Sequence, residues 1–454
     1  MHSPHMFLRA GPIRLKFADG ELRYLCVGDH EIARRLLFVV RDHHWDTAMP
    51  RFTKVDVQRM DDSFRIEIEA RCVIPTVDYA WTAVVTGSAN GVITFAASGE
   101  PMRDFGSNRI GVCLLFGAES LAGIPFDVVN SSGETQPGEF PNLVSPELLG
   151  KNFSHIRYQM GSGLRVSASA EGALFSMEDQ RNYADTSYKA YAPLPYAYPA
   201  APAGLRLEQA VTLKVTCRKS VPAPKPRFSP VPETVIRIGR LVEGAKVPKV
   251  WRSAKGTREV DFYTINTQRR LHQDAEIIRF ACNPALHLPD DDTLMENIAA
   301  ILDQVRTVRS FASGAKIRID PVTFNSQHPR PEPDLRNATA FGAVWSAAVL
   351  KYMSLARVDE AAFAVNGEAA RAVQDEIGAY SGCDVMEAVS EAAVRPPLEM
   401  LAIAAKDSVR MWLINMTESP QRAIIVQKDE RSILATFDLE PYSVVARELL
   451  PPLP

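Results

Sequence analysis

The stretch Glu178-Asp179-Gln180-Arg181-Asn182, followed by Asp185 and Lys189, concentrates groups that grip hydroxyls and move protons. Glu178 or Asp179 suits the role of general base, the more so if the adjacent carboxylates repel each other and one pKa rises. Arg181 is able to stabilise an oxyanion or clamp a carboxylate bidentately. Gln180 and Asn182 each carry donors and an acceptor for hydroxyl recognition, and Asp185 and Lys189 extend that binding set. The plainer use of the same run is a salt-bridged turn in which Arg181 pairs with Glu178 or Asp185.

Further candidates lie where predicted strands end. Asn283 and His287 follow Ile277–Cys282, and Asp320 follows Lys316–Ile319; in α/β folds ligands bind at the carboxyl ends of strands. His287 is suited to acid, base or ligand chemistry, and Asp320 to supplying a carboxylate. Their plain readings are a surface histidine leading into Asp290-Asp291-Asp292 and an ordinary Asp-Pro loop start. The cluster Arg41-Asp42-His43-His44-Trp45-Asp46 resembles a ligand set. Neighbouring histidines on a strand point to opposite faces, so no metal is expected there. Tyr183, Tyr188, Tyr191, Tyr196 and Tyr198 suit sugar stacking or, more commonly, packing at a domain interface. No GxGxxG, GxxxxGK[ST], GxSxG or HExxH occurs, which leaves nucleotide and serine-hydrolase readings unsupported and no cofactor expected.

These residues need a scaffold. At 454 residues two or three domains are expected. Residues 1–220 read as an antiparallel β-sandwich: Phe64–Cys72 alternates apolar and charged, a hairpin is expected around Asn90-Gly91, and Val211–Cys217 alternates again. Five prolines between 221 and 232 predict a stiff linker. Residues 233–394 then alternate strand and helix: strand Ile277–Cys282, a helix opened by a capping box at Thr293–Glu296, strand Lys316–Ile319, helix Phe341–Leu355 and strand Ala361–Val365. Eight βα units need roughly 200–250 residues, so a partial, TIM-barrel-like domain is expected. Residues 395–454 return to strands and predict a small C-terminal β module. The fold class is multidomain α+β.

The run from Glu178 to Lys189 resembles the signature of the D-apionate lactonase family. Weaker matches fall in order along the chain. They are Leu8–Pro12, Leu22-Arg23-Tyr24, Val40-Arg41-Asp42 with Trp45, Asp61–Phe64, Asn108–Gly111, Asn283-Pro284 with His287, Pro321-Val322-Thr323, Phe341-Gly342-Ala343 with Trp345, and Leu439–Val444. The resemblance implies a β domain, a TIM barrel and a C-terminal β module that together hydrolyse a sugar-acid lactone, D-apionolactone, to its open acid. It also implies carboxylates in stretches that here read Phe262–Asn266 and Phe363–Gly367. Two other readings stand beside it. One is a degenerate relative that binds a sugar acid or serves structurally. The other is a glycoside hydrolase, which needs two carboxylates roughly 5–10 Å apart.

Composition narrows the partners. A net charge of −3 with scattered basic residues predicts no nucleic-acid footprint and no polybasic membrane patch. No apolar run is long enough to span a bilayer, and Met1–Phe17 shows no secretory pattern, so a cytoplasmic protein is expected. The six cysteines form no Cys-x-x-Cys pair and read as small hydrophobes. The expected partner is a small sugar lactone, with a homo-oligomer as one way to cover the partial barrel.

Overall fold

Alternation dominates the first half of the molecule. The structure, a computed structural model, describes residues 5–193, 200–217, 231–254, 260–325, 333–365, 367–391, 396–405, 408–428 and 432–449. The proline-rich stretch 221–230 and Tyr196 and Tyr198 lie outside the described residues. The chain divides into two compact units. One comprises Met1–Gln180 with Ser187–Lys225, and the other Arg181–Thr186 with Pro226–Pro454. The short segment Arg181–Thr186 therefore belongs, by its contacts, to the second unit.

In the first unit the described strands form one hydrogen-bonded antiparallel network of 17. The Phe64–Ile74 strand buries Phe64, Ile66, Ile68, Ala70 and Cys72 and exposes charges between them, as its period of two requires. Val77–Ser88 and Val92–Pro101 form the expected hairpin, closed by a three-residue loop with Gly91 at φ 76°. The inward residues of these strands merge into one apolar core that runs from Leu8 to Val215.

The second unit holds two sheets. Four parallel strands, in the order Lys249–Arg252, Glu360–Phe363, Lys316–Val322, Ile277–Cys282, form the smaller one. The helices between them, Ala300–Phe311 and Ala340–Leu355, complete the expected βα alternation. Local details differ from expectation. The helix after Ile277–Cys282 starts at Asp291 and is capped by Asp290, whose carboxylate accepts the Thr293 N–H at 3.0 Å; Thr293 lies inside the first turn. The Phe262–Asn266 stretch is a helix, Phe262–Thr267, capped by Asp261. Ala340–Leu355 is buried nearly all round rather than on one face.

The larger sheet has seven strands. In order they are Ile433–Leu439, Gln421–Gln427, Glu233–Lys246, Asp384–Ser390, Leu398–Ala404, Val409–Asn415 and Ser443–Leu449. The C-terminal strands expected as a module thus share one sheet and one core with strands on the other side of residue 395. Glu233–Lys246 and Gln421–Gln427 run parallel, joined across almost 190 residues. Among the described residues no helix is long and apolar enough to cross a membrane.

Candidate active site

Glu178 and Asp179 are strand residues. Phe175–Asp179 pairs antiparallel with Ser187–Tyr191, setting Glu178 opposite Lys189 and Asp179 opposite Tyr188. Successive strand residues point to opposite faces, so the two carboxylates are turned apart and do not form the expected repelling pair. Asp179 faces inward and accepts the Ser145 N–H at 3.0 Å. Glu178 lies on the other face with 24% of its side chain exposed.

Around Glu178 the sheet gathers cations. The Lys189 ammonium lies 3.8 Å and the Arg109 guanidinium 4.0 Å from its Oε1. Lys189 Nζ also donates to Gln180 Oε1 at 2.7 Å. Arg109 comes from Phe105–Gly117, the strand that pairs with Ser187–Tyr191, and its guanidinium stacks on the Tyr191 ring at 3.3 Å from the centroid. Burial pushes the Lys189 ammonium down to about 8; Glu178 opposes that shift, while Arg41 and Arg109 add to it. Burial, and then the Glu178 charge, raises the Tyr191 hydroxyl. The arrangement offers a partly exposed carboxylate beside two cations, one of them an ammonium that burial pushes down to about 8. Carboxylate, proton donor and fixed positive charge are the parts acyl transfer to water needs.

The second unit uses the middle of the same run. Arg181 is 0% exposed and pairs with Asp303 at 2.9 Å, while its carbonyl accepts from Gln304 Nε2 at 2.8 Å. Asn182 accepts from Asn266 Nδ2 at 2.8 Å, and the Thr186 N–H donates to Asn297 Oδ1 at 3.1 Å. Asp185 Oδ2 stands 3.4 Å from His287 Nδ1, and Tyr183 meets the His287 ring edge-on at 5.7 Å. His287 and Asp185 are thus brought together as a carboxylate–imidazole pair.

The remaining candidates hold loops and strands. Asn283 donates to the Asn325 carbonyl at 3.0 Å and accepts the Ala285 N–H, which shapes the turn after its strand. Asp320 lies within Lys316–Val322 rather than beyond it; it accepts from Ser253 Oγ at 2.7 Å and sits 3.2 Å from Arg279. His43 and His44 occupy a turn with rings 3.7 Å apart, not a strand, and Asp42 closes that turn by accepting the His44 and Asp46 N–H groups. Arg109 and Asp303 were absent from the candidate set, since each meets its partner only through pairing or packing across many residues.

Two family models match the chain: the N-terminal domain of D-apionate lactonase over residues 1–218, and the TIM barrel domain of D-apionate lactonase over residues 201–408. The chain belongs to the D-apionate lactonase family. A D-apionate lactonase from Brucella anthropi is 32% identical to it over 198 residues, which is 42% of this chain and 32% of that protein. This chain thus spans about a third of that relative's length. Among solved structures, a beta-arabinopyranosidase is similar at 8% identity and TM-score 0.33 over 98% of both chains. The galactose 1-epimerase of Lactobacillus acidophilus NCFM is similar at 7% identity and TM-score 0.30, covering 47% of this chain and 94% of that one. In this member of the D-apionate lactonase family, the family's TIM barrel match falls where the described residues form a four-stranded parallel sheet.

Proposed function

We propose that this protein hydrolyses a sugar-acid lactone, D-apionolactone to D-apionate, in carbohydrate catabolism, with Glu178, Lys189 and Arg109 at its chemical centre. The observation that carries the reading is a carboxylate held between two buried cations, of which Lys189 titrates near 8. Glu178 takes a proton from water as the water oxygen bonds to the lactone carbonyl carbon. Arg109 stabilises the resulting oxyanion from the stacked position fixed by Tyr191. The carbonyl then re-forms, the ring C–O bond breaks, and Lys189 gives its proton to the departing alkoxide. The proton on Glu178 crosses the 3.8 Å to the Lys189 amine, and the centre is restored. Gln180 orients Lys189 through its 2.7 Å hydrogen bond.

The test is proton release at constant pH from D-apionolactone, with Glu178→Gln and Lys189→Met alongside and circular dichroism as the check on folding. Loss of the base or of the acid is expected to cost on the order of 10²-fold or more in rate. Well-folded wild-type protein that does no better than buffer excludes the reading for this substrate. A second reading, a relative that binds a sugar acid without turning it over, is favoured by the engagement of Arg181 and Asn182 within the fold. Under that reading D-apionate binds and the lactone is released unchanged.

A further inference from the structure

A shallow groove of about 610 Å³ opens on the first unit. Its floor is the outer face of three neighbouring antiparallel strands, Gly150–Met160, Leu164–Glu171 and Leu207–Thr216. Pro125, Phe126, Pro137 and Gly138, from a β-hairpin, form one wall.

The register fixes which side chains share that floor. Arg157 is opposite Ser167, which is opposite Lys214; one step along, Gln159 is opposite Arg165, which is opposite Thr216. Directly opposed residues stand about 5 Å apart and diagonal ones about 7–8 Å apart. Arg165 is therefore diagonal to both Arg157 and Lys214, and the three cations form a triangle with hydroxyl and amide groups between them. Only Arg157 has its charge answered, by Asp127 at 3.0 Å. Arg165 and Lys214 are exposed and make no ion pair among the described residues. With Asp127 also lining the groove and offsetting Arg157, the unpaired Arg165 and Lys214 leave a local positive potential on a protein whose net charge is slightly negative.

We propose that this groove binds a carboxylate-bearing sugar, a uronate or short oligouronate, independently of the lactone chemistry. Arg165 and Lys214 would take the carboxylate through charge-assisted hydrogen bonds. Ser167, Thr216 and Gln159 offer hydroxyls and an amide for ring hydroxyl groups, and the hairpin wall supplies apolar contact at the exposed Pro125 and Pro137. The volume falls in the range of small-ligand sites. A ligand held mainly by exposed cations binds weakly and loses affinity with salt.

The test is calorimetric titration of the full chain with digalacturonate, neutral galactobiose and inorganic phosphate, repeated on Arg165→Ala/Lys214→Ala and on Glu178→Gln. Digalacturonate is expected to bind the wild type and Glu178→Gln alike, to lose at least tenfold in the double variant, and to weaken as salt rises. Galactobiose is expected not to bind. Equal affinity in the double variant, or no digalacturonate binding by wild type, overturns the proposal. Phosphate that binds as tightly and displaces digalacturonate also overturns it, leaving a general anion surface. Because the replaced residues are exposed, unchanged melting of the double variant confirms that a lost signal comes from the groove. Glu178→Gln separates this site from the hydrolytic one.

Discussion

Lys189 confines the proposed chemistry to a pH window. Its ammonium is pushed to about 8, chiefly because burial disfavours the charged form. As proton donor it must be charged, so hydrolysis is expected to fall as pH rises through about 8, well below the range of an ordinary lysine. Lys189→Arg keeps a positive charge far above that pH, and its alkaline limb is expected to move up while the maximal rate drops; a limb unchanged in this variant removes Lys189 from the reaction. Stability runs the other way. The folded pKa lies below the unfolded one, so between about 8 and 10.5 the unfolded chain binds more protons. The group therefore destabilises the fold below pH 8, and the penalty is relieved as pH rises toward 10.5, by at most about 3 kcal/mol. Urea midpoints at pH 7.5 and 9.5 check this: the rise contributed by Lys189 is expected to be absent in Lys189→Met. Activity that falls where stability rises cannot be put down to unfolding.

The segment Arg181–Thr186 is an anchoring element as much as a site element. Its guanidinium is fully buried against Asp303, so Asp303→Ala leaves a buried cation without that partner. Breaking a buried pair costs roughly 3–5 kcal/mol, and the lower end is expected because Asp303 is itself partly exposed. Thermal melts of Asp303→Ala and Asp303→Asn measure it, with Asn expected to recover part of the loss by accepting one hydrogen bond. The polar run was legible from its residue types, but its use was not. Period-two alternation announces the strand Phe64–Ile74, and a short, mostly apolar run ending at Asn283-Pro284 announces Ile277–Cys282, because those signals are local. The approach of Arg109 to Glu178 depends on pairing between strands some 70 residues apart, which no local pattern encodes. The true helix cap was hidden for another reason: Asp290, Asp291, Asp292 and Thr293 are all good caps, and the helix uses the first. Lys249–Arg252 is too short to carry a period at all.

At the scale of the whole molecule, the seven-stranded sheet decides how far the second unit can be divided. A chain stopped after residue 394 keeps Glu233–Lys246 and Asp384–Ser390 but loses the other five strands. Ile236, Ile238 and Met386 then face water in place of Met400, Met411, Leu413 and Ile425. Burying a side chain of this size is worth about 1.5–3 kcal/mol, so exposing these three costs roughly 4.5–9 kcal/mol, comparable to the stability of an ordinary domain. The deletion also takes away Glu399, the ion-pair partner of the buried Lys351 in the helix Ala340–Leu355. The second unit is therefore expected to fail to fold in the shortened chain, whereas the first unit, whose core runs from Leu8 to Val215, is expected to persist. Trypsin reports both outcomes through one bond. Arg181 is wholly buried in the intact protein and is held by contacts of the second unit, so cleavage after it is expected to be slow. In the shortened chain those contacts are gone, and rapid cleavage at Arg181 is expected within an otherwise resistant first unit, detected by mass spectrometry of the digest. Equal protection of Arg181 in both chains would mean that residues 226–394 fold without the C-terminal strands, and that the shared sheet is not what holds the segment.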